Sequence, residues 1–113
     1  LENVPREKLI GGVPFYTRLW TEAGDGTITS KAMGIAEEKR WVDNNQVELT
    51  WQADTAQYYG EVQTSDGAQF LWMEEERSLK EKMNVIRQND LAGVACWKLG
   101  FEDSAAWDSI QWN

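Results

Sequence analysis

Apolar and polar positions alternate with a period of two in several short stretches and with a helical period in two longer ones. Leu91-Ala-Gly-Val-Ala-Cys-Trp-Lys-Leu-Gly100 is a short apolar run entered through Asn89-Asp90 and left through Gly100, which predicts a buried strand. Alternation places Gly93, Ala95 and Trp97 on one of its faces and Ala92, Val94 and Cys96 on the other. Ahead of it, residues 76–88 carry Leu79, Met83 and Ile86 on one stripe and predict a helix, with Glu74, Glu75 and Glu76 leading into its positive end. Residues 8–16 predict another buried strand, irregular where Pro14 cannot donate to a ladder.

Between these pieces, residues 21–27 with Gly24-Asp25-Gly26 read as a loop. Residues 31–42 read as a helix capped by Thr29 or Ser30. Residues 47–51, 57–63 and 68–73 alternate as half-buried strands joined by short polar turns, a three-stranded antiparallel meander. Ser104 is placed to cap a short closing helix through Trp107 to Ile110. The expected class is α+β: a small unit of helix plus meander between two strand-and-helix pieces of parallel, buried appearance. At 113 residues the chain is read as a single domain.

Charge and composition narrow the function. Nineteen acidic residues against eleven basic ones give a net charge of −8, the wrong sign for nucleic acid or an anionic membrane surface. No apolar run approaches the roughly 20 residues of a membrane span. The one cysteine, Cys96, forbids an internal disulfide, and the absence of histidine removes Ser-His and Cys-His pairs and the commonest zinc ligand. No metal and no cofactor is expected. Seven tryptophans are an unusual load, as core or as platforms for flat amphipathic ligands such as sugars. The chain begins at Leu1 without a signal peptide and reads as a piece of a longer protein.

Three segments carry a family resemblance. Lys8-Leu-Ile-Gly-Gly-Val-Pro-Phe-Tyr-Thr-Arg18 is followed by an α+β insertion over residues 19–69, then by Phe70-Leu-Trp-Met-Glu-Glu-Glu-Arg-Ser-Leu-Lys-Glu-Lys82 and the run ending in Trp97. Together they resemble the C-terminal part of a glycoside hydrolase family 18 domain, in particular its bacterial cell-wall and spore-associated branch. The resemblance implies an eight-stranded (β/α) barrel with residues 8–16 as its seventh strand and 91–98 as its eighth. The insertion would form one wall of the sugar groove. It also implies hydrolysis of β-1,4 links beside N-acetylglucosamine, in chitin or peptidoglycan, with the substrate's acetamido group as nucleophile. The family's acidic motif, D-x-x-D-x-D-x-E, is absent: Asp54, Asp66, Asp90, Asp103 and Asp108 have no such spacing.

Residue by residue, the resemblance makes Trp97 the floor under the sugar at the cleavage point. It makes Tyr16 and Arg18 the family's Tyr-x-Arg, with Thr17 where many relatives carry Gly, and Trp20 a groove-side aromatic or an insertion-core residue. These four are the expected substrate-binding residues, and no catalytic residue is expected within the chain. Glu74 to Glu76 are expected to serve the helix start rather than catalysis, and Trp51, Tyr59 and Trp72 to fill the core of the insertion. A parent enzyme of this kind would work outside the cell, in the cell wall or on the spore. The rival expectation is a non-catalytic, tryptophan-rich carbohydrate-binding or structural domain. Barrel strands without their neighbours predict self-association through Val13, Phe15 and Val94, as a homodimer, or their rearrangement.

Overall fold

A computed structural model describes residues 2–110; residues 1 and 111–113 lie outside the described residues. After a 3-10 turn at Arg6–Lys8 come β1 (Ile10–Pro14), β2 (Tyr16–Glu22), β3 (Ile28–Gly34), α1 (Ile35–Asn44), β4 (Thr50–Gln52), β5 (Gln57–Thr64) and β6 (Gly67–Trp72). The chain then runs through α2 (Glu76–Gln88), β7 (Gly93–Trp97) and α3 (Ser104–Ser109). Two lobes result. In the first, β1 and β7 pair in parallel, Ile10 opposite Gly93 through Pro14 opposite Trp97. In the second, an antiparallel sheet runs β3-β2-β6-β5-β4. The α+β class and the parallel pairing of the outer strands are as expected from sequence.

Each lobe has its own apolar core. Val13 of β1 and Phe15 just after it meet Leu79, Met83 and Ile86 of α2, Ala106 of α3 and Ile35, with Val94 and Cys96 partly buried against them. The i, i+4, i+7 stripe of α2 thus faces the parallel strands, each such side chain stabilising by about 1.5–3 kcal/mol when fully buried. Glu75 caps α2: its carboxylate accepts from the backbone N–H groups of Arg77 and Ser78, while the Ser78 hydroxyl accepts from the Glu75 N–H. In the second lobe Leu19, Met33, Leu71 and Met73 form the core on the sheet face covered by α1. Trp41, Val42, Leu49 and Tyr58 pack around it.

Four expectations are corrected. Residues 31–34 belong to strand β3, not to a helix; the expected three-stranded meander is β4-β5-β6, and β2 and β3 extend its sheet to five strands. Seven consecutive pairs with β2, from Tyr16–Gly34 to Glu22–Ile28, override the helix-forming Lys-Ala-Met run. The helix N-cap is accordingly Gly34, not Thr29 or Ser30. Strand β4 is confined to Thr50–Gln52, because Val47 and Leu49 instead lie over Gly60, where a Cβ would approach Val47 Cγ1 to 2.6 Å. At α3 the cap is Asp103, whose carboxylate accepts the Ala106 N–H at 2.9 Å, rather than Ser104. The Gly24-Asp25-Gly26 loop is the turn joining β2 and β3, held by Thr27 N–H donating to Asp25 Oδ1.

The expected association faces are also corrected. Val13 and Phe15 are buried and Val94 half-buried beneath α2 and α3, so those side chains are spent within the chain. The open face of the parallel pair is the opposite one, where Ile10 is 63% and Trp97 67% exposed.

At the edge of the larger sheet the Arg77 guanidinium lies 3.7 Å from the Trp51 ring centroid and its Nη1 donates to Tyr58 Oη at 3.2 Å. Replacing Arg77 by Met keeps the aliphatic stem but removes this stack. The expected cost is about 1 kcal/mol, read as a lowered urea midpoint with unaltered slope.

Candidate functional site

The open face of β1 and β7 carries Ile10, Gly12 and Pro14 beside Gly93, Ala95 and Trp97, by the alternation and register of the two strands. Small residues there leave a hollow: a Cβ added at Gly12 or Gly93 would meet nothing within 4 Å. The result is an open depression of about 380 Å³, lined by Gly12, Pro14, Tyr16, Ala95 and Trp97 among others. Trp97 is the last residue of β7 and Pro14 the last of β1, so the depression lies at the C-terminal ends of two parallel strands. Phe15 N–H donates to the Trp97 carbonyl at 2.7 Å, and the Trp97–Lys98 peptide is cis.

Tyr16 opens β2 and shares its face with Arg18 and Trp20, while Leu19 between them is buried toward α1. Arg18 is held in the sheet plane by Ser30 of β3: its Nε donates to the Ser30 hydroxyl at 2.9 Å and an Nη to the Ser30 carbonyl at 3.4 Å. A guanidinium has five donors, so this anchoring leaves capacity for a ligand. The structure therefore brings Tyr16 and Trp97 together in one depression and sets Arg18 and Trp20 along the wall that leads away from it.

That wall extends beyond the four residues expected to bind sugar. Trp20 is opposite Phe70, and Trp72 lies on the same face as Phe70 and opposite Tyr59. The face carries Tyr16, Arg18, Trp20, Phe70, Trp72 and Tyr59, away from α1. Tyr59 and Trp72 were expected in the insertion core; they are half-buried on the open face, with ring centroids 5.0 Å apart. The signal was present in the alternation of Tyr58 with Tyr59 and of Leu71 with Trp72. Only one member of each pair can face α1. Trp51 does lie on the α1 side, edge-on to Tyr58 at 5.0 Å. Trp72 Nε1–H donates to Gln52 Oε1 at 3.1 Å and Tyr59 O–H to Glu61 at 2.8 Å. Burial, and then Glu61 beside it, raises the Tyr59 phenol above its ordinary pKa.

Glu74 and Glu38 meet where β6 runs on into α2. Glu74 is buried; Lys82 Nζ donates to both of its oxygens at 2.8 and 2.9 Å, and Ser78 O–H to one of them. Burial raises the Glu74 carboxyl, partly offset by Lys82. Glu38 of α1 is 0% exposed; its Oε1 accepts the Glu74 N–H at 2.7 Å, and its Oε2 has no partner. Burial pushes Glu38 up to about 10, so it is protonated at neutral pH. Among the described residues no group of three His, Cys, Asp or Glu is arranged to hold a metal ion, and no helix is long and apolar enough to cross a membrane.

Residues 1–102 match the profile of the glycosyl hydrolases family 18. The chain belongs to that family. It is 25% identical over 109 residues to a cortical fragment-lytic enzyme of Bacillus subtilis, covering 95% of this chain and 25% of the relative. It is 24% identical over 111 residues to a putative chitinase 1 of Margaritifera margaritifera, covering 93% of this chain and 24% of that protein. Among solved structures, a chitinase from Chromobacterium violaceum superposes with a TM-score of 0.87 at 22% identity, over 98% of this chain and 34% of that one. The spore cortex-lytic enzyme of Bacillus megaterium gives 0.84 at 23% identity, over 96% and 26%. The chain thus spans about a quarter of the curated relatives it matches.

Proposed function

We propose that the chain is the C-terminal part of a family 18 catalytic domain and supplies the binding half of its sugar site. In this reading β1 and β7 are the seventh and eighth strands of a (β/α) barrel, and residues 19–69 are an insertion that walls the groove. Trp97 is the floor of the cleavage subsite with Tyr16 beside it, Arg18 bonds to polar groups of a neighbouring sugar along the wall, and Trp20 flanks that one. The ligand is a β-1,4-linked N-acetylglucosamine polymer, chitin or the glycan of peptidoglycan. The parent enzyme is a substrate-assisted retaining glycosidase of the cell wall or spore.

The observation that carries this is the depression in which an exposed indole and a tyrosine meet at the C-terminal ends of two parallel strands. Active sites of β/α barrels sit at that end, and an indole face stacks on the apolar face of a pyranose ring. Small residues beside the ring leave room for the sugar to descend onto it. The wall aromatics favour a groove side over a flat binding platform, since Tyr59–Trp72 and Phe70–Trp72 meet at 51° and 85° rather than coplanar. Hydrolysis needs an acid, and the carboxylates at the joint of β6 and α2 are engaged elsewhere: Glu38 and Glu74 are buried there and Glu75 is a helix cap.

The reading is tested by fusing the chain to a segment bearing the D-x-x-D-x-D-x-E motif from a family relative and assaying chito-oligosaccharides and peptidoglycan. Turnover that depends on Trp97 is the expected result. A folded fusion inert on every such substrate contradicts it.

A further inference from the structure

The wall lobe is joined to the floor lobe by two covalent links, at residues 14–16 and at residues 73–75, where the chain leaves β1 for β2 and returns from β6 to α2. Two links define a hinge line, about which the wall could rock relative to Trp97. Besides the Arg77 contacts to Trp51 and Tyr58 and the Glu74 N–H bond to Glu38, a further connection lies between the start of α1 and the segment that follows Trp97. Ile35 N–H donates to the Phe101 carbonyl at 2.6 Å. Lys39 of α1 donates to Glu76 at the start of α2 and to Asp103, the cap of α3. The fit at this seam is close because residue 34 has no side chain: a Cβ there would come within 2.8 Å of the Phe101 carbonyl oxygen and 2.9 Å of its Cα. Backbone atoms cannot swing aside as a side-chain tip can, so any side chain at position 34 wedges the seam open. The Phe101 ring also meets Tyr16 at 6.0 Å between centroids, so the seam adjoins the depression itself.

We propose that Gly34 and Lys39 are positioning residues that set the angle between the wall bearing Tyr16 and Arg18 and the floor bearing Trp97, and so the width of the groove. The inference rests on the sugar reading above for its functional consequence and on the seam alone for its mechanical one. Lys39 is suited to the task because one ammonium spans the starts of two helices, each of which presents a carboxylate. Its charge is held by both: burial would lower its pKa, and the bonds to Asp103 and Glu76 outweigh that and raise it. A ligand that touches only Trp97 is indifferent to the angle. One that must reach Trp97 and Arg18 together is sensitive to it.

The test uses spin labels on cysteines at Ile28 in the wall lobe and Val85 on α2, both exposed, in a Cys96→Ser background. The distance distribution between labels is measured alongside the affinity for N-acetylglucosamine and for its tetramer. Gly34→Ala and Lys39→Met are expected to shift or broaden the distribution and to weaken the tetramer about tenfold, the loss of one hydrogen bond to the Arg18 guanidinium, while leaving the single sugar unaltered. Lys39→Arg, which keeps a donor to both acids, is expected to restore both readouts. Should Gly34→Ala not fold, Lys39→Met carries the comparison. An unaltered distribution in the folded variants overturns the inference, as does equal weakening of monomer and tetramer. A wild-type chain that takes up no oligomer sinks the sugar reading instead, and the distance distributions still decide the seam.

Discussion

Replacing Trp97 by Ala is expected to remove most of the affinity for N-acetylglucosamine oligomers while the protein stays folded. Trp97 is 67% exposed, and its side chain lies on the face of β7 away from Val94, Cys96 and the core beneath them. Truncation therefore leaves no cavity, and the expected change in stability is within about 0.5 kcal/mol. Its loss to binding is larger because the indole supplies the flat apolar surface in the depression. A central aromatic anchor costs about 2 kcal/mol or more when truncated, roughly a thirtyfold rise in Kd. Trp107→Ala is the matched control. That ring is 46% exposed but packs edge-on against the fully buried Phe15 at 5.2 Å, so its removal lowers the melting temperature and spares affinity. Titration calorimetry and thermal melts on the two variants separate the roles; equal binding by wild type and Trp97→Ala removes Trp97 from the site.

Glu38→Gln is expected to stabilise the chain at neutral and alkaline pH and to flatten its pH profile. The Glu38 carboxyl is pushed from its ordinary 4.5 to about 10 by burial, with the Glu74 and Glu75 carboxylates adding to the rise and the Glu74 N–H opposing it. A raised folded-state pKa means that the native chain holds a proton which the unfolded chain releases above about 4.5. The associated stability is complete below that value and is lost as pH climbs toward about 10. By pH 7 the loss is on the order of 3 kcal/mol, from about 1.4 kcal/mol per pH unit across that interval. Glutamine keeps the acceptor for the Glu74 N–H and cannot ionise. Urea titrations from pH 5 to 9 should show the wild type losing stability with rising pH and the variant losing much less. Parallel profiles would mean that Glu38 is not held protonated.

Much of the floor lobe was legible because its signals are local. The α2 stripe of Leu79, Met83 and Ile86, the apolar run into Trp97 and the turn residues around each follow from periods that a single segment displays. The faces of β7 were assigned correctly by alternation alone. The β2–β3 hairpin was not legible, because Ile28-Thr-Ser-Lys-Ala-Met has no apolar alternation of its own. It is a strand by virtue of pairing with β2, a contact that no local window contains. The same gap hid the open wall. Without β2 and β3 the meander has no neighbour on its Phe70 side, and a core is the natural place for Tyr59 and Trp72. Glu38 was equally hidden, since a glutamate on a helix reads as solvated until packing removes its water. Of the four expected binding residues, Tyr16 and Trp97 line one depression and Arg18 and Trp20 continue the Tyr16 face of β2.

In the proposed function, a sugar-binding surface stands apart from the acid that would cut the sugar. That separation is tested most directly by titrating the 113-residue chain with the N-acetylglucosamine tetramer while following both heat of binding and released shorter sugars. Saturable binding that Trp97→Ala weakens about thirtyfold, with no product however long the incubation, is the expected result. Release of shorter sugars by the chain alone, or no uptake at millimolar tetramer, would contradict it.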